Sequence, residues 1–111
     1  MSTSQHGYKY KGDYCFCPGF YAVAYQGRQL FEFTPNQAYI CEQLYIAAEN
    51  GFSGLKQQYL LERISRNHLK SSRLRDYFKR NGKLHPAWGS FIKATPGANS
   101  KVYLDFSWTA P

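Results

Sequence analysis

Ser71-Ser72-Arg73-Leu74-Arg75-Asp76-Tyr77-Phe78-Lys79-Arg80-Asn81-Gly82 is the stretch on which the fold turns. Leu74, Tyr77 and Phe78 recur at i, i+3 and i+4, a spacing that predicts the apolar stripe of an α-helix from about Ser71 to Asn81. Ser71 or Ser72 supplies an N-cap and Gly82 a terminator. Ser72, Arg73, Arg75, Asp76, Lys79 and Arg80 occupy its other faces, so core pattern and charge share one segment.

That segment sits inside a wider cationic region. From Lys56 to Lys83 there are nine basic residues against two acidic ones, Glu62 and Asp76, an excess equal to the net charge of +7 for the whole chain. The remaining residues balance. A neutral domain with one folded basic region is the electrostatic footprint of a polyanion binder.

Upstream, Thr34-Pro35 predicts a helix start, with Thr34 as N-cap, Pro35 in the first position and Gln37 completing a capping box. Ala38, Cys41, Leu44, Tyr45 and Ala48 form its inward stripe, and Asn50-Gly51 stops it. After a turn at Phe52-Ser53-Gly54, Leu55 plugs the core. A second helix then runs from about Gln57 to Ile64, with Leu60, Leu61 and Ile64 inward. Ser65 to Lys70 connects it onward.

On either side of the helices the pattern changes to strands. Tyr8 to Phe33 is rich in Tyr, Phe and Val and is broken at Cys17-Pro18-Gly19 and at Gln26-Gly27. The second break predicts a hairpin of Tyr21–Tyr25 with Arg28–Phe33. Trp88 to Lys93 and Lys101 to Trp108 read as two further strands around a Pro/Gly/Asn-rich tip at 94–100. The expected class is α+β in one domain at 8–111, preceded by a loose tail at 1–7. Strands fill 8–33, three helices 34–83 and a hairpin 84–108.

A chain of 111 residues with 43% hydrophobic and 18% aromatic content is long enough for one core without staples. Three cysteines, Cys15, Cys17 and Cys41, argue against a disulfide scaffold. With His6, His68 and His85 they show no finger spacing, so ordinary thiols are expected and neither metal nor cofactor. There is no apolar run of membrane length, and the polar residues 1–7 do not resemble a signal peptide, so a cytoplasmic location is expected.

The order of strands, three helices and terminal hairpin resembles the winged helix-turn-helix family, in particular response-regulator effector domains with an N-terminal sheet. Phe33-Thr34-Pro35-Asn36-Gln37-Ala38 resembles that family's opening of its first helix. Leu60-Leu61-Glu62-Arg63-Ile64 resembles its second helix, and Arg73-Leu74-Arg75 with Tyr77-Phe78-Lys79 its third. The Ile92–Tyr103 hairpin takes the place of the wing. Lys56 stands where a Ser or Thr cap is usual, and no receiver-type segment lies in these residues.

The resemblance implies a sequence-specific double-stranded DNA-binding protein, a small transcriptional regulator such as a phage or mobile element carries. Its third helix would enter the major groove. Ser72, Arg75, Asp76 and Lys79 share one arc of that helix, with Arg75 suited to paired bonds with guanine. Ser71 and Ser72 would meet phosphate at the helix start. Arg73, Lys79, Arg80 and Lys83 would neutralise flanking phosphates, and Lys93, Asn99, Ser100 and Lys101 would bring the wing to the backbone. The N-terminal strands are the expected homodimer surface.

Catalysis is not expected. Seven carboxylates and three histidines show no motif spacing, and Gly51-Phe52-Ser53-Gly54 is neither nucleophile elbow nor phosphate loop. The alternative is a protein-binding module, such as a phage-encoded anti-defence inhibitor of a host nucleoprotein complex, because fold does not fix function.

Overall fold

A computed structural model describes residues 7–64, 73–96 and 100–109. The N-terminal strands β1 (Lys9–Lys11), β2 (Tyr14–Phe16), β3 (Ala22–Tyr25) and β4 (Arg28–Glu32) form an antiparallel meander in chain order. Gln26 and Gly27 both have positive φ, 51° and 83°, as a type I′ hairpin turn requires. The hairpin expected at Gln26-Gly27 is present. A bulge between Val23 and Ala24 shifts the β3–β4 register, so that Val23 faces Phe31 but Ala24 faces Gln29.

Tyr14, Phe16, Val23 and Phe31 alternate onto the inner face of this sheet and are buried. Helix α1 (Pro35–Glu49) packs there, with Tyr45 5.1 Å from the Phe16 ring and 5.4 Å from Phe20. The capping box read from the sequence is formed. Thr34 accepts from the Gln37 amide, and the Gln37 side chain accepts from the Thr34 amide. The helix ends at Asn50, with Gly51 at φ +86°.

β5 (Leu55–Lys56) leads into α2 (Gln57–Ile64), with Leu60 and Leu61 buried as expected. β5 pairs with β9 (Lys101–Leu104), whose other neighbour is β8 (Ile92–Ala94). Gly54 makes this pairing possible. At φ +153° it lies so close to β9 that a Cβ would sit 2.7 Å from the Val102 oxygen.

The third α-helix is not formed. Leu74–Phe78 is a five-residue 3-10 turn, followed at once by the ribbon β6 (Lys79–Arg80) and β7 (Lys83–Leu84). The reason lies in tertiary partners for the backbone groups a helix would have used. The Leu74 amide donates to Gln57 Oε1 at 2.8 Å, and the Tyr77 carbonyl accepts from Gln37 Nε2 at 2.9 Å. The Phe78 carbonyl accepts from the His85 amide at 2.6 Å instead of an amide one helical turn on. Asn81 and Gly82, at φ 54° and 79°, form a type I′ turn rather than a helix stop. The described residues thus hold two α-helices, not three.

The C-terminal strands are shorter than expected. Pro86 and Gly89 turn the chain back so that both the Phe91 and Ile92 amides donate to the Ala87 carbonyl. This drives Phe91 into the centre of the core, stacked 4.8 Å from Tyr14. Along β9, Val102 and Leu104 are buried and Tyr103 is half-buried, the alternation of a strand with one face on the core. Among the described residues, no helix is long and apolar enough to cross a membrane.

Candidate nucleic-acid interface

The cations predicted to line one helix face are distributed over three elements. Arg73, in extended conformation, is exposed at the start of the 3-10 turn. Arg75 and Asp76 are half-buried on the turn itself. Asp76 Oδ1 lies 3.5 Å from Lys79 Nζ, so it screens Lys79. Because Leu74–Phe78 is a 3-10 turn running into a ribbon, the helical arc expected to join Arg75, Asp76 and Lys79 is not formed. Ser71, Ser72 and Asn99 lie outside the described residues.

The ribbon takes over the charge. Arg80 and Lys83 are direct cross-strand partners in β6–β7, both exposed, on either side of Asn81-Gly82. Directly opposite residues of a hairpin hold their Cβ atoms about 4.5–5.5 Å apart, and like charges so placed repel. No described residue forms an ion pair with either.

The ribbon rises from a rigid base. Phe78 is fully buried below it, and His85 stacks 4.9 Å from Phe33. The His85 ring fixes its own tautomer. Nδ1 accepts from the Ala87 amide at 3.0 Å, which leaves Nε2 to donate to the Glu32 carbonyl at 2.7 Å. Between ribbon, β4 and the start of α1 lies an open cleft of about 450 Å³, lined by Thr34, Gln37, Arg80, Lys83, Leu84 and Pro86 among others.

A second pair of cations sits at the end of the other sheet. Lys56 and Lys101 are direct partners in β5–β9, and both are exposed. Lys101 was expected at the wing. Lys56, the first cation of the basic region and an atypical cap, faces out by alternation with the inward Leu55. Ser100, also expected at the wing, is tied into the fold. Its hydroxyl donates to the Thr95 carbonyl at 2.7 Å, and it accepts from Gln57 Nε2 at 3.3 Å.

Gln57 carries a role beyond opening α2. Its backbone amide donates to the Ser100 carbonyl, and its side chain donates from Nε2 to the Ser100 hydroxyl and accepts from the Leu74 amide at Oε1, so this residue ties the hairpin base to the 3-10 turn. On the exposed side of α2, the Arg63 guanidinium lies 4.0 Å from the Tyr59 ring centroid, a cation–π contact that keeps its charge outward.

Lys93 is paired within the C-terminal hairpin. Its ammonium bonds Asp105 Oδ2 at 2.5 Å, which raises the lysine and, with the Ser107 hydroxyl and amide, lowers the Asp105 carboxyl to about 2. A lysine so neutralised offers no net charge to a phosphate.

These groups donate hydrogen bonds and attract anions. The one described histidine, His85, has both ring nitrogens committed to the backbone. Comparison with protein-family models, curated proteins and solved structures gives no match.

Proposed function

We propose that this chain binds double-stranded DNA as a small regulator, gripping the backbone through exposed cationic strands. The observation that carries the reading is the pair of like-charged cross-strand couples, Arg80/Lys83 and Lys56/Lys101, exposed on two separate sheets. Opposed cations cost stability in the free protein, and a polyanion relieves that cost. A helix in the major groove is not part of this proposal.

The test is titration of a labelled mixed-sequence duplex of about 20 base pairs, followed by fluorescence anisotropy at several salt concentrations. Four cations engaging four phosphates give a slope of log affinity against log salt of about −3.6. That amounts to a loss of roughly a hundredfold between 50 and 200 mM salt. Absence of binding at 20 mM salt overturns the reading, and co-purification with one protein assembly under those conditions would replace it with the protein-binding alternative.

A further inference from the structure

We infer that the β6–β7 ribbon is a phosphate clamp, in which Arg80 and Lys83 close from opposite strands on one phosphodiester group of the nucleic-acid backbone. The inference rests on the DNA-binding reading and names the chemistry of one of its contacts.

Geometry comes first. A two-residue type I′ turn leaves no freedom of register, so Arg80 and Lys83 are locked opposite each other. The ribbon has only two residues per strand, and its other pair joins exposed Lys79 to half-buried Leu84. Little cross-strand packing is available to offset the repulsion at the tip. An anion between the two side chains converts that repulsion into two charge-assisted hydrogen bonds.

The surroundings decide where the anion sits. Within the neighbouring cleft the neutral polar side chains are already engaged. Gln37 holds the Thr34 amide and the Tyr77 carbonyl, and His85 holds Glu32 and Ala87. Glu32, which also lines the cleft, has its backbone carbonyl bonded to His85 Nε2 and its exposed carboxylate bonded to Gln29 Nε2, so it offers no donor to a phosphate seated deep. The favourable position is therefore the tip, between Arg80 and Lys83. A contact made there to phosphate alone carries no base information, so the ribbon contributes affinity and not sequence choice.

The frustrated pair also makes a prediction that a merely solvated basic face does not. Replacing one cation by an acid should strengthen the free ribbon and abolish its binding together. Lys83→Glu places a carboxylate opposite Arg80. In the full chain we expect this variant to melt at the same temperature as the parent or higher, and to bind the 20-base-pair duplex at least tenfold more weakly at 50 mM salt. Its salt slope should be shallower by about 1.8, because Arg80 becomes internally paired and Lys83 is lost. Pyrophosphate at millimolar concentration should raise the melting temperature of the parent and leave Lys83→Glu unmoved. The charge-preserving double exchange Arg80→Lys with Lys83→Arg should keep both binding and the pyrophosphate response.

Lys83→Gln covers the case in which the acid disturbs folding, with an expected slope change of about 0.9. A parent that binds DNA while Lys83→Glu and Lys83→Gln bind with unchanged slope would overturn the clamp and leave the DNA reading standing. A lower melting temperature for both variants would overturn the frustration argument. If the parent binds no duplex at all, it is the underlying reading that fails.

Discussion

Asp105→Asn isolates the ion pair that removes Lys93 from the basic surface. The Asp105 carboxyl accepts from Lys93 Nζ at 2.5 Å, from the Ser107 amide at 3.0 Å and from the Ser107 hydroxyl. Together these lower it from an ordinary 3.8 to about 2. The folded value lies below the unfolded one, so the stabilisation is complete above about pH 4 and is lost as pH falls through about 2.

At about 1.36 kcal/mol per pH unit the shift corresponds to at most about 2.4 kcal/mol. The Lys93 side chain is 34% exposed and that of Asp105 18%, so solvent screening reduces this to about 1–1.5 kcal/mol. Asp105→Asn should then lower the melting temperature at pH 7 by roughly 4–6 °C for a chain of this size. The gap should close as the pH approaches 2. Thermal unfolding at pH 7, 5, 3 and 2 on both proteins measures it. A gap of the same size at pH 2 and pH 7 would show that the carboxylate's charge is not what stabilises, and the reasoning would be wrong.

Three further outcomes are expected. Gln37→Ala removes the partner of both the Thr34 amide and the Tyr77 carbonyl, and should cost about 2 kcal/mol in urea unfolding while leaving α1 helical by circular dichroism. Gly54→Ala brings a Cβ to 2.7 Å from the backbone oxygen of Val102, which cannot swing away, whereas Gly82→Ala meets open space and suffers only from its φ of +79°. The first should destabilise by about 2–3 kcal/mol and the second by about 1–2, compared by the same unfolding assay. In the native protein a thiol reagent should modify half-buried Cys15 and Cys17, and Cys41 only after unfolding, because complete burial pushes that thiol far up. Rapid reaction of all three thiols would contradict the packing of α1.

Several elements were legible in the residues alone because their causes are local. Thr34-Pro35-Asn36-Gln37 carries a helix start within four positions, Gln26-Gly27 carries a turn within two, and the stripe Leu60, Leu61, Ile64 needs only helical periodicity. The excess of positive charge is likewise a property of composition, and no folding can remove it. Asn81-Gly82 is a strong short hairpin signal, but beside the apolar spacing of Leu74, Tyr77 and Phe78 the same Gly82 reads as a helix terminator.

What tertiary structure alone decided is which carbonyls and amides found partners. Gln57 and Gln37 come from distant positions and His85 from across the Asn81-Gly82 ribbon, and together they capture the backbone groups of Leu74, Tyr77 and Phe78 and so forbid the helix that spacing favours. Long-range pairing likewise set Lys56 against Lys101 and Lys93 beside Asp105, whereas the local turn set Arg80 against Lys83. A linear pattern records which side chains are apolar or charged. It does not record which buried polar groups will meet, and that meeting determined where the positive charge of this protein is exposed.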